Sequence, residues 1–216
     1  MKFLAFFLLA TLGFAADAPH LYYSKFFKGS TPEFVAVTLD SAGAGTFRDA
    51  PDDPNPLQFQ MTPEATAVIF DLAAKLDRFK RPLESGLKVA QVGIKTFRYE
   101  EGPEKHEVKF NYSIDPDAQA LADWFEKVTE TEEGFITLDR CLHFDKLGVN
   151  QALLEVEITY DHKRLVDRGQ FLPLLDRITK NESVLHMARD RAAKLADEFR
   201  KPRETVIKAG ETASKE

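Results

Sequence analysis

MTPEATAVIFDLAAKL (residues 61–76) and IDPDAQALADWFEKV (residues 114–128) decide how this chain is read. Each opens on a residue with a short oxygen-bearing side chain, Thr62 or Asp115, followed by a proline and an acidic residue. Such a side chain caps the free N–H groups of a first helical turn. Proline has its φ preset for the first helical position, and a carboxylate is stabilised at the positive end of the helix dipole. Beyond the caps, Ala65, Val68, Ile69, Leu72, Leu76 and Phe79 form one apolar stripe of a helix running to about Phe79. Leu121, Trp124, Phe125 and Val128 form another.

Upstream of each capped helix the hydrophobic period shortens to two. LQFQM (57–61) places Leu57, Phe59 and Met61 on one face and Gln58 and Gln60 on the other, and HEVKFNY (106–112) aligns His106, Val108, Phe110 and Tyr112. EFVAVTLD (33–40), the flexible turn SAGAG (41–45) and TFRDA (46–50) make a hairpin, and the three prolines of PDDPNP (51–56) impose a loop. HLYYSKFFK (20–28) reads as an aromatic first strand, and LKVAQVGIKTFRYE (87–100) as another with Gly93 at a bulge. The fold class is therefore α+β: an antiparallel sheet built from two strand-strand-helix units with helices on one face, over residues 16–130, followed by an all-helical region over 131–200. The two units are either a repeat of roughly fifty residues or a convergence on a common helix start. In outline these tandem units, over about residues 20–130, resemble exported inhibitor and peptidase-propeptide-like domains. That resemblance implies a sheet covered by helices on one face, with partners bound through the other face or a loop.

Past residue 130 the spacing predicts helices at about 131–143, 146–165, 170–179 and 182–200. LLEVEITY (153–160) is either a helix buried on two sides or a strand with Val156, Ile158 and Tyr160 alternating, and its unbroken link to DHKRL favours the helix. Asn181 is the expected cap of the last helix, whose stripe is Val184, Leu185, Ala188, Ala192, Leu195 and Phe199. The polar tail 201–216 is expected to be disordered.

The N-terminus, MKFLAFFLLATLGFAADAP (1–19), has the three parts of a secretory signal: Lys2, an apolar run from Phe3 to Leu12, and the small residues Gly13 and Ala15. Residues 1–15 are the expected signal peptide, cut between Ala15 and Ala16, because a cut after Ala18 would leave Pro19 at the start of the mature chain. The run is too short to span a bilayer comfortably, and no later segment could do so. The protein is thus expected to be exported, periplasmic or extracellular, in a bacterium. A single cysteine cannot form an internal disulfide, so the core must hold the chain together. The net charge of −6, with no long basic block, argues against a nucleic-acid partner.

LDRCLHFDKLG (138–148) carries the one thiol. Cys141, His143 and Asp145 would share a face on a strand, but on a helix Cys141 and His143 point about 200° apart. Phe135, Leu138 and Leu142 keep helical spacing. Cys141 therefore reads as a core-edge residue, and Asp145 as the N-cap of the next helix, with a hydrophobic staple between Phe144 and Val149. No H-E-x-x-H, C-x-x-C, calcium loop, G-x-S-x-G or phosphate loop occurs, so no catalytic, metal or cofactor residues are assigned. Carboxylate pairs such as Asp52-Asp53 and Glu132-Glu133 are placed in polar loops. Aromatic residues on the strands (Tyr22, Tyr23, Phe26, Phe27, Phe97, Tyr99, Phe110 and Tyr112) either pack under the helices or form an open binding face. The expected function is a non-enzymatic binding or interaction module with a protein, peptide or glycan partner. The alternative is an exported hydrolase or thiol enzyme using Cys141 or a carboxylate pair.

Overall fold

The computed structural model describes residues 18–201; the expected signal segment, its expected Ala15–Ala16 cut and the tail beyond Lys201 lie outside them. Strands β1 (His20–Phe26), β2 (Phe34–Asp40), β3 (Ala44–Arg48) and β4 (Leu57–Gln60) form an antiparallel meander. Helix α1 (Pro63–Lys75) follows, and strands β5 (Ile94–Glu101) and β6 (Glu104–Phe110) then add to the free edge of β1. The sheet order is β4-β3-β2-β1-β5-β6. Helices α2 (Pro116–Phe144), α3 (Val149–Asp161), α4 (Leu172–Lys180) and α5 (His186–Arg200) complete an α+β fold, as the patterning predicts. Among the described residues no helix is long and apolar enough to cross a membrane.

Both capped starts form. Thr62 Oγ1 accepts from Ala65 N at 3.3 Å, and Asp115 Oδ1 accepts from Asp117 N at 2.9 Å and Ala118 N at 3.3 Å. Pairing Tyr23 with Val37 and Phe97, and Leu21 with Leu39 and Tyr99, puts all six side chains on the helix-facing side of the sheet. Phe97 is the centre of that face: its ring lies 5.1–6.0 Å from those of Tyr23, Phe79, Phe110 and Phe125. Ile69 and Leu72 of α1 and Leu121, Phe125 and Val128 of α2 close the core over it.

Several expected boundaries move. The helices expected near 116–128 and 131–143 are one continuous α2 of 29 residues. Helix α1 ends at Lys75, and Asp77, Arg78 and Phe79 take left-handed φ values of 52°, 50° and 65°, which turn the Phe79 ring under the sheet. Residues 87–93 make no strand. Gly93 adopts φ 101°, and the Asn111 side chain substitutes for a neighbouring strand by accepting from Val92 N and donating to Ala90 O. The expected 146–165 helix covers only 149–161, because Lys163 turns left-handed. Asn181 does not cap the last helix: its carboxamide oxygen holds Ser183 N in a tight turn, and α5 starts at His186.

A second core lies between the C-terminal half of α2 and α3, α4 and α5, around Leu138, Leu142, Leu153, Phe171, Leu175 and Phe199. The connector after α3 returns to the middle of α2. Val166 N donates to Thr131 Oγ1 at 3.1 Å, Gln170 Nε2 donates to Glu132 Oε1 at 3.0 Å, and Val166 joins the sheet core. Glu132 is fully buried, and its Oε2 accepts no hydrogen bond. Burial, partly offset by the Gln170 hydrogen bond and reinforced by the charge of Asp167, pushes its carboxyl up to about 7.

That carboxyl makes stability depend on pH. The folded chain binds Glu132's proton more tightly than the unfolded chain, so the benefit is complete below the ordinary carboxyl pKa and is lost as pH rises through about 7. Glu132→Gln keeps the acceptor for Gln170 and removes the titration. In urea denaturation the variant should match the parent near pH 5 within about 1 kcal/mol. At pH 8 it should be more stable by roughly 2–3 kcal/mol.

Candidate functional site

The far end of β1 and one face of α2 enclose a cleft of about 240 Å³. Alternation along β1 directs Tyr23 and Lys25 towards the helices, and Phe27 follows just beyond the strand. The turn to β2 supplies Pro32, Glu33 and Val35. It is closed by Ser30 Oγ against the carbonyls of Phe27 and Pro32, both at 2.7 Å, and by Gly29 N donating to Glu33 Oε1 at 2.8 Å. Helix α2 supplies Glu126, Thr129, Glu130 and Glu133, whose spacing of three and four residues aligns them on one side.

Lys25 Nζ lies 3.2 Å from Glu126 Oε1. Arg164 forks onto both oxygens of Glu130 and donates to Asp123 Oδ1 at 2.9 Å. Glu133 has no such cation. Burial, with Glu130 and Asp49 adding and Lys25 subtracting, pushes its carboxyl up to about 7. Tyr23 is fully buried, its ring stacked on Phe125 with centroids 4.9 Å apart. Its hydroxyl has no hydrogen-bond partner, and burial followed by the charge of Glu126 raises it well above the ordinary phenol value. Thr129 Oγ1 is also buried without a partner. Tyr23, Thr129 and Glu133 therefore line one small space, and the two buried hydroxyls carry hydrogen-bonding capacity the fold does not use.

On the other side of Glu126 a second cavity, of about 180 Å³, reaches Lys95, Asn111 and Gln119. Lys95 pairs with Lys25 in register and is only 8% exposed. Burial lowers its pKa, with Glu126 opposing that effect and Lys25 adding to it. Asn111, part of a glycosylation sequon, is 7% exposed and spends its carboxamide on residues 90 and 92.

The thiol stretch contributes nothing to this cleft. Cys141 sits on helix α2 at the edge of the second core, and burial followed by Asp145 raises its thiol pKa, the reverse of what activates a nucleophile. His143 turns away to Asp139 and Arg177. Asp145 is not the N-cap of α3: it is the C-cap of α2, Gly148 takes the N-cap position of α3 with no side-chain bond, and Asp145 Oδ1 accepts from Gly148 N at 3.1 Å within the turn between the helices. The staple does not form: α3 begins at Val149 and Phe144 is 86% exposed. Glu132 and Glu133 lie in mid-helix rather than in a loop, while Asp52 and Asp53 are in a loop. The aromatic set divides. Tyr23, Phe97, Tyr99 and Phe110 are buried under the helices, Tyr22 lies beneath Arg98 on the open face, and Phe26, Phe27 and Tyr112 are exposed. Among the described residues no group of His, Cys, Asp and Glu is arranged to hold a metal ion. Sequence reasoning missed Lys25, Lys95, Thr129 and the paired roles of Glu126 and Glu130. The available signal was the 126-129-130-133 spacing across TETEEG, which would have required reading that stretch as helix.

Two substitutions test this geometry. Tyr23→Phe removes a buried hydroxyl that has no partner, so denaturation should show unchanged stability or a gain of up to about 1 kcal/mol, against the loss usual for a hydrogen-bonded tyrosine. Asp145→Ala removes the turn bond to Gly148 N and should cost about 0.5–1 kcal/mol in the same measurement. Comparison with known proteins found no matching family model, no similar curated protein and no similar solved structure.

Proposed function

We propose that the protein is an exported, non-enzymatic interaction module of the bacterial periplasm or cell exterior, which holds a polypeptide partner at the β1–α2 end of the sheet. Export rests on the three-part segment 1–15. The observation that carries the binding reading is a set of exposed apolar side chains at the cleft end of β1, with Phe27 on the cleft's side of the sheet and Phe26 on the opposite face. Phe26 (48% exposed) pairs with Ile94 (41%) across β1 and β5, and with Phe34 across β1 and β2. Phe27 and Val92 are 40% and 44% exposed, and a side-chain carbon at Gly93 would stand 3.0 Å from Phe27 Cβ, so strand and segment meet here. Apolar groups gathered at one rim and edged by charge are the surface a protein partner dehydrates.

A carboxyl titrating near 7 in a cleft favours a second reading, a hydrolase with Glu133 as proton donor. The thiol version stands apart from the cleft, because Cys141 is eight residues, about 12 Å, further along α2.

Selection of displayed random peptides on the purified protein separates these readings. Enriched peptides should perturb backbone amide resonances of residues 23–35 and 126–133, and bind at least ten-fold more weakly to Phe26→Ser. No enrichment, together with turnover of a hydrolase substrate that is lost in Glu133→Gln or Cys141→Ser, would overturn the proposal.

A further inference from the structure

We infer that the β1–α2 cleft receives one lysine or arginine side chain of the polypeptide partner, its cationic head set against Glu133 and Glu33 and its aliphatic stem against Phe27, Pro32 and Val35. This rests on the reading of the cleft as a binding site and adds the chemistry of what enters it.

Size is the first argument. At about 240 Å³ the cleft is below the ~300–1,000 Å³ of ordinary small-molecule pockets and suits a single side chain. Charge is the second. Lys25 is matched by Glu126, and Arg164 by Glu130 and Asp123, with Lys127 also on Asp123. Among the described residues, Glu33, Glu133 and the nearby Asp49 have no ion-pair partner, so the cleft and its rim are left with negative charge. Hydrogen bonding is the third, and it is independent of charge. Tyr23 Oη and Thr129 Oγ1 are buried, unpartnered oxygens on the cleft wall, with lone pairs free to accept from an ammonium or guanidinium. The mixed lining is the fourth: an unbranched apolar stem ending in a charge matches a site with Phe27, Pro32 and Val35 on one side and carboxylates on the other.

A cation entering here favours ionised Glu133, so binding expels its proton when the pH is below about 7. The groups facing Glu133 are Lys25 and Tyr23 on β1, Glu33 at the turn, Asp49 after β3, and Glu126 and Glu130 on α2 with Arg164 behind them. Of these, Glu133 is the group whose carboxyl is pushed up to about 7. Affinity should therefore be nearly flat above pH 7 and fall by roughly thirty-fold between pH 8 and pH 5.5, the limit for one proton.

The probes are blocked pentapeptides with a central Lys, Arg, Gln or Glu between leucines, titrated calorimetrically into the purified protein in two buffers of different ionisation heat. The expected result is binding of the Lys and Arg peptides, with up to one proton released at pH 6 and almost none at pH 8. The Gln and Glu peptides should bind at least ten-fold more weakly. Glu133→Gln should remove the proton release and most of the preference. Thr129→Val, nearly isosteric and losing only an unpartnered hydroxyl, should weaken the Lys peptide several-fold while its unfolding curve stays unchanged. If the Gln peptide binds as well as the Lys peptide, the cationic inference falls and the interaction module stands. If n-butylammonium alone binds as tightly as the Lys peptide, the ligand is a free amine and the partner side chain is overturned. If no peptide binds and peptide display enriches nothing, both fall.

Discussion

One helix belongs to two hydrophobic cores, and every other part of the molecule is placed by that constraint. Over 29 residues, about 43 Å, α2 presents Leu121, Phe125 and Val128 to the sheet and Leu138 and Leu142 to the C-terminal helices. The buried stripe is continuous: from Val128 it passes through Thr131 and Glu132 before reaching Phe135 and Leu138. The polar centre is where the connector comes home. A backbone crossing a buried helix surface brings N–H and C=O groups that need partners. Thr131 Oγ1 takes the N–H of Val166, and Glu132 takes Gln170. The joint between sheet and bundle is thus polar and pH-dependent, while each core on either side is apolar.

The same stretch builds the cleft. Along α2, one side faces the connector with Thr131 and Glu132, and the other faces the end of β1 with Glu126, Thr129, Glu130 and Glu133. Burying a helix whose sequence there is TETEEG leaves carboxyl groups with less water than they would otherwise keep. Where a cation is in reach, as for Glu126 and Glu130, the side chain forms an ion pair with Lys25 or Arg164. Where none is, as for Glu132 and Glu133, the carboxyl pKa rises towards 7. The cleft lies where the ion-paired carboxylates of α2 meet the unpaired Glu133.

Most local structure is legible because its causes are local. The Thr62-Pro63 and Asp115-Pro116 caps, the alternation in LQFQM and the helical spacing of Ala188, Ala192, Leu195 and Phe199 each involve neighbours a few residues apart. The misplaced boundaries share a different cause. TETEEG reads as a boundary because its residues are polar, yet tertiary hydrogen bonds make polarity acceptable in a buried helix. Residues 87–93 have strand composition, but the Asn111 carboxamide occupies the position of a neighbouring strand. A staple at Phe144 needs α3 to begin at Lys146. Instead Asp145 closes α2 and bonds Gly148 N in a turn, and the next helix starts at Val149 with Gly148 as its N-cap.

By itself, the sequence determined the class of the fold, the capped starts of α1 and α2, the apolar faces of the strands, and a thiol segment that is helical rather than extended. These follow from period, capping chemistry and backbone sterics, which act over one or two turns of chain. Only the tertiary structure decided that two expected helices are one, and that Glu132 is buried in mid-helix while Asp52 and Asp53 lie in a loop. It alone brought Tyr23, Lys25, Thr129 and Glu133 to one cleft. The physical reason is range. Caps and periodicity are satisfied between near neighbours. Burial of a carboxyl and convergence on a cleft depend on segments about a hundred residues apart, such as those of Lys25 and Glu126, being brought together by the packing of α2 on the sheet.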